Sequence, residues 1–446
     1  MKNCVLLLSI FLAAVPAFAQ HGQSTGFMFI SPAEASIGRD NNFLVDRTPP
    51  DQKLLILSLP ASVQPAAPST RPDKLDDTVL YLKAPTVALL RDGRRTDFSF
   101  TYQPEIEMYV RNRDQNAINH IAGADVNFFF TRKVQFYIGD GFVSSKDATR
   151  TLENVFLLIP RSRYSQNAFR TSIAYVPSER TSYTVAFDHT VSTYGDIDPL
   201  QRRILDTVGK SGSFTFERMV SRSQRLRLTY AMFKLGPWNR KDERVDTQFT
   251  AFENPAHAVS GGYRFRVRTN TTLEAMAGLV RRDTDVSYTF GISGDRQIGN
   301  LTVGGGFTRS LSLLTGQFLP NAMSANSFYD VWNFRMRGQP KRKIGLNVNF
   351  SYMRSVYDAV AVGSKALMAR SRMDYRLNDS VVWFLGAEGY HQNVNAFIGT
   401  PLSRYRYFTG LAYSFSNESQ RRTNRLNRDA ENVSLTEHAR LRNRPQ

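Results

Sequence analysis

The sequence predicts an all-β chain, a transmembrane antiparallel up-and-down β-barrel of about 16 strands (14–18). Three observations predict it. Apolar and polar residues alternate with period two from about residue 96 to residue 416. Tight polar turns alternate with longer connections along the same stretch. The polar face is dense in arginine, which a dry core cannot hold and a secreted sandwich would not bury.

The alternation runs strand by strand. Tyr183, Val185, Phe187 and Val191 oppose Thr184, Ala186 and Asp188. Leu226, Leu228, Tyr230 and Met232 oppose Arg227, Thr229 and Ala231. Ile344, Leu346, Val348, Phe350 and Tyr352 oppose Asn347, Asn349 and Ser351. Turns are expected near Thr131-Arg132-Lys133, Pro177–Arg180, Ser221–Ser223, Arg268–Asn270, Gly294-Asp295-Arg296, Gly338–Lys341 and Asn378-Asp379. Longer connections fall between them, near 112–120, 143–166, 193–209, 236–255, 311–326, 356–365 and 393–402, with a shorter one at Arg282-Asp283. Inside hydrocarbon every backbone N–H and C=O needs a partner, so a spanning sheet must close. Aromatics near both strand ends, such as Phe169, Tyr352 and Tyr405 on the loop side and Tyr175, Tyr375 and Tyr413 on the turn side, fit two interfacial girdles.

Composition sets the bounds. The chain has 446 residues, 41% hydrophobic, 22% charged and 12% aromatic. That aromatic content argues against disorder. Only the first 19 residues approach the length of about 20 apolar residues that a helical span needs, which excludes a polytopic helical membrane protein. Lys2, the apolar stretch Val5–Val15 and Ala17-Phe18-Ala19 read as a cleaved signal peptide over 1–19. Its removal takes Cys4, the one cysteine, and leaves no thiol for disulfides or metal. Residues 20–95, rich in Pro, Ala, Ser and Asp, read as an irregular N-terminal periplasmic region or a plug, the barrel as 96–416, and 417–446 as a basic polar tail.

The barrel region resembles the β-barrel proteins of the Gram-negative outer membrane, porin-like in layout. Its most specific local match is the assembly signal of the last strand, Gly410, Tyr413 and Phe415 in Gly410-Leu411-Ala412-Tyr413-Ser414-Phe415, followed here by a polar tail. Phe100-Thr101-Tyr102-Gln103-Pro104 and polar loops also resemble barrels associated with exopolysaccharide export. The resemblance implies a place in the cell outer membrane, with outer-membrane lipid, lipopolysaccharide and the barrel assembly machinery as partners.

Chemistry is expected on the polar face. Parity places Arg170, Arg227, Arg264, Arg266, Arg268, Arg335, Arg370, Arg372, Arg376 and Arg406 in the lumen as pore-lining residues. Fewer acids share that parity, among them Asp188, Glu217, Glu274, Asp374 and Glu388, so a net cationic lumen is expected. Cationic rings attract anions. The expected function is a conduit that passes anionic solutes or exports polysaccharide. The alternative is a structural or adhesive surface barrel with a plugged lumen and functional loops. No histidine pair has metal-ligand spacing, and Asp188 and His189 point to opposite faces. Gly209-Lys210-Ser211 lacks the first glycine of a phosphate loop. No catalytic residue, metal or cofactor is therefore expected, and the chain does not read as an enzyme. The net charge of +18 does not imply nucleic acid, because export removes the chain from it. The sequence leaves the oligomeric state open.

Overall fold

The computed structural model describes residues 25–41, 76–93, 95–147, 163–195, 206–238, 255–282, 285–311, 328–355, 365–393 and 402–415. The segments expected to be a signal peptide (1–19) and a basic tail (417–446) lie outside them. Sixteen long strands follow the alternation closely. They are β5 (Thr96–Tyr109), β6 (Ala117–Phe129), β7 (Val134–Ser145), β8 (Tyr164–Ser178), β9 (Thr181–Tyr194), β10 (Thr207–Ser221), β11 (Gln224–Pro237) and β12 (Ala256–Arg268), then β13 (Thr271–Arg282), β14 (Asp285–Ile298), β15 (Leu301–Leu311), β16 (Phe328–Lys341), β17 (Ile344–Ser355), β18 (Lys365–Arg376), β19 (Val381–Gln392) and β20 (Leu402–Tyr413). Each pairs antiparallel with its sequence neighbour.

Four short strands precede these. They are β1 (Thr25–Phe29), β2 (Ala33–Asp40), β3 (Asp77–Lys83) and β4 (Val87–Asp92). End to end, β1 and β2 make one wall strand and β3 and β4 a second. β4 covers the lower half of β5 and β3 its upper half. β2 pairs with β3 on one side and with β20 on the other, from Ala33↔Tyr413 to Asp40↔Arg406, which closes the barrel. The wall therefore has 18 strands, the upper end of the expected range. An 18-stranded wall at about 4.8 Å per strand and about 40° tilt is roughly 35 Å across and leaves room for an aqueous lumen.

The N-terminal region departs from expectation. Its described parts, 25–41 and 76–93, are wall, not irregular chain or plug. Prolines hide them. Pro32 and Pro85 lack an N–H for the ladder and sit at two adjacent breaks, beside Pro104 of β5. Side chains repair the gap. Thr86 N donates to Ser31 Oγ at 2.8 Å, and Gln103 Nε2 donates to Ser31 Oγ and to the Ala84 carbonyl, both at 3.1 Å. Ile30 N reaches the Thr86 carbonyl at 3.0 Å.

The turns are local chemistry. Thr131 Oγ1 accepts from the N–H groups of Lys133 and Val134, and Asn378 Oδ1 from those of Ser380 and Val381. Two expected turns are displaced. β14 continues through Gly294-Asp295-Arg296 to Ile298, and the chain reverses at Gly299, whose φ of 59° a side chain disfavours. β16 passes a register shift after Gly338 and continues to Lys341.

Candidate functional site: the inner face of the barrel

Alternate residues of each strand face the enclosed space. The sequence-predicted arginines fall on that face, opposite the apolar one. Arg268 is the exception, since it lies past a register shift at the turn, across from Thr271. Cross-strand neighbours and short reaches along the wall bring acids to many of the others. Arg170 pairs with Asp188, which also accepts from Ser211 Oγ at 3.2 Å. Arg227 meets Glu217 at 2.6 Å. Arg335 meets Asp295 at 2.6 Å. Arg372 contacts Glu34 at 3.1 Å and Asp374 at 2.8 Å, with its guanidinium 4.1 Å above the Phe384 ring. Arg370 Nε donates to the Tyr390 hydroxyl at 2.9 Å. Arg406 lies 3.4 Å from Glu388 and 3.5 Å from Asp40. Arg264 and Arg376 stand across from Glu274 and Val382.

One group was not legible. Arg404 is 2% exposed and donates to Asp40 at 2.6 Å and to Asp147 at 2.8 Å. Asp40 is its neighbour on β2, but Asp147 follows β7, several strands away round the wall. Tyr164, Glu107, Asn119 and Gln392 are also buried on this half of the inner face, the half nearer the longer connections. Asp77 is fixed nearby. It accepts the backbone N–H groups of Thr78, Arg111 and Asn112, pinning the β5–β6 connection.

The expected net cationic lumen fails as a count. β2, β3, β5 and β6 add Glu34, Asp40, Asp77, Asp97, Glu105, Glu107 and Asp125 to the inner face, and β14 adds Asp295. The prolines that disguise the first strands, and the Gly294 that mimics a turn, conceal these acids. Exposure differs between the two signs. Among the described inner-face residues, the exposed charged ones are Arg170, Arg227, Arg266, Arg335 and Arg337, whereas none of these acids is exposed. Short carboxylates lie against the wall, and long guanidinium stems stand proud of it.

The outer face is the reverse. Val185, Leu228, Val259, Leu279, Ile292, Phe334, Phe350, Leu385 and Leu411 are exposed around the circumference. Val259 and Ile292 are each 59% exposed, far beyond what a water-soluble surface tolerates in a continuous band. Closed backbone pairing beneath an outward apolar band is a membrane wall. The chain is a closed, membrane-type β-barrel.

No protein-family model and no curated protein matches this barrel. Among solved structures it is similar to the siderophore receptor PirA from Pseudomonas aeruginosa (9% identity, 87% of this chain and 81% of that one, TM-score 0.38). It is also similar to a mutant ferric enterobactin receptor from Pseudomonas aeruginosa (8%, 87% and 73%, 0.44) and to OpdQ from the same organism (9%, 86% and 98%, 0.43).

The C-terminal motif of the barrel lies at the closing seam. Gly410 has no room for a Cβ, which would meet the Ala35 carbonyl and the Ser36 Cα. Tyr413 points outward, and the Phe415 ring lies 5.0 Å from both Tyr413 and Phe29. Three histidines bond locally on the outer face: His120 with Tyr102, His257 with Tyr230 and His391 with Ser403, each at 2.8 Å.

Proposed function

We propose that this outer-membrane barrel is a conduit that favours anionic solutes, including polyanionic polysaccharide. One observation carries the reading: the charges exposed on the described inner face are arginines, and the acids there are withdrawn. A solute feels accessible charge more than counted charge, because even the paired Arg170, Arg227 and Arg335 project further into the lumen than their carboxylates and fields are screened beyond about 8 Å. Arg227, Arg266 and Arg337 also lie in the turn-side half of their strands. In the usual orientation of outer-membrane barrels that half is periplasmic, so anions would gather at the inner mouth.

The alternative is a structural or adhesive barrel with a closed lumen. The buried Arg404–Asp40–Asp147 group and the buried extracellular half of the inner face favour it. Conductance of the purified full chain in planar bilayers separates the two. Steady openings support a conduit. Silence of correctly folded protein supports the structural reading.

A further inference from the structure

Asp140 interrupts the apolar outer face. On β7 the outward residues run Phe136, Ile138, Asp140 and Phe142. Asp140 stands six residues above Val134, the turn-side start of the strand. At ~3.3 Å per residue and about 40° tilt that is about 15 Å up the wall, inside the apolar band. The carboxylate is exposed and accepts from Asn167 Nδ2 at 2.9 and 3.1 Å, and among the described residues it meets no cation. Asp330 is the other outward carboxylate of the described strands, and it is held by Arg309 at 2.7 Å and Arg354 at 3.2 Å. An ionisable group that faces lipid is costly and calls for a partner.

A base lies on the same face. Three outward histidines are occupied by a tyrosine or serine hydroxyl. His189, also outward, has no hydrogen-bond partner among the described residues. In direct register Asp140 of β7 stands opposite Phe169 of β8, Phe169 opposite His189 of β9, and His189 opposite Lys210 of β10. The row reads acid, aromatic, base, base. Asp140 and His189 are two strands apart, about 10 Å, with Phe169 between them, so they do not meet within one chain.

We infer that this face is the interface of a two-fold dimer, and that its occupant is a second copy of the chain. Two copies in one membrane share an orientation, so the axis that relates them runs along the membrane normal. With that axis beside Phe169, a half-turn sets β7 of one copy against β9 of the other. Asp140 of each copy then faces the partner's His189, and the two Phe169 rings meet at the centre. His189 stands eight residues above Thr181, the start of β9, so the two groups differ in level by about 5 Å, within reach of a carboxylate and an imidazole on facing walls. In an 18-stranded wall each strand turns by about 20°, so β7 and β9 fall back from the line of contact by only about 1 Å. The same half-turn brings Phe142 against the partner's Phe187, which are 40% and 42% exposed in the single chain. Lys210 adds positive charge on the side that approaches the partner's acid. The patch is thus complementary to itself, as an isologous contact requires. A three-fold ring would join two different patches and leave this match unused.

The test is sedimentation of the full chain in neutral detergent, with thiol cross-linking in isolated membranes. The wild type should sediment as a dimer. His189→Asp sets acid against acid at both contacts and should weaken dimerisation at least about tenfold. Asp140→His combined with His189→Asp exchanges the two roles and should restore it. Heat-modifiable mobility on gels checks that each variant is a folded barrel. Strand tilt carries Ile138 beneath Phe169 on to the axis. In a Cys4→Ser chain, Ile138→Cys should therefore be joined to its own copy by a short bifunctional thiol reagent, and Leu279→Cys, exposed on β13, should not. A wild type that is monomeric in both experiments, or a trimer, overturns the proposal. So does a dimer that His189→Asp leaves unchanged, or one that the exchanged pair does not restore.

Discussion

Asp295 of β14 and Arg335 of β16 stand on either side of a third strand and meet across it, over Gly304 of β15, at 2.6 and 3.0 Å. A Cβ on Gly304 would collide with the Asp295 carboxylate. The run Gly304-Gly305-Gly306, which in the sequence marks close packing or a bend, is here the clearance for an ion pair on the inner wall.

Gly304→Ala should therefore separate Asp295 from Arg335 with the barrel intact. Arg335 is 63% exposed, so the pair contributes little to stability, about 1 kcal/mol or less. Thermal unfolding in detergent should shift by only a few degrees. A loss above about 3 kcal/mol would instead assign the glycine to strand packing.

Arg404 should behave differently. Removing it takes the guanidinium from buried Asp147 and leaves Asp40 with the more distant Arg406, 3.5 Å away, which costs about 3–5 kcal/mol. Arg404→Ala should lower the unfolding temperature sharply, whereas Asp147→Asn should cost less, because Arg404 keeps Asp40. If both variants unfold like the wild type, this group does not hold the extracellular end together.

At the seam, Phe415→Ala and Tyr413→Ala should reduce the yield of folded barrel in the outer membrane, since both rings lie where β20 meets the first wall strand. Deleting residues 420–446 should reduce it less. The opposite ranking, measured by heat-modifiable mobility on gels, would place the assembly signal elsewhere.

The connections allow a test of orientation. Cys4 is the one cysteine of the sequence, so single thiols introduced into a Cys4→Ser chain report cleanly. Asp114→Cys, in the β5–β6 connection, should label on whole cells with an impermeant reagent. Asp379→Cys, in the β18–β19 turn, should label only after the outer membrane is opened. Reversed labelling would invert the barrel.

How much the sequence disclosed follows from where alternation is clean. β8, β9, β11, β12, β17, β18 and β20 carry clear apolar rows through their middles, and period two locates them. The first two wall strands escape because Pro32 and Pro85 interrupt each one midway, and the stitching by Ser31 and Gln103 has no local signature. The inner-face arginines are legible by parity. Their partners are not, because Glu34, Asp40 and Asp147 are brought to Arg372 and Arg404 by barrel closure, across hundreds of residues of chain. The accessible sign of the lumen likewise depends on which side chains lie down against the wall, which no periodicity encodes.

The account rests on the inner-face arginines acting on solutes, and the reversal potential of the reconstituted channel under a salt gradient tests it most directly. It predicts anion preference for the wild type, stronger at low salt because the Debye length grows. It also predicts a shift towards cations in Arg227→Glu, Arg266→Glu, Arg337→Glu combined, with conductance retained. A channel that prefers cations, or whose reversal potential is unmoved by those three changes, would contradict it.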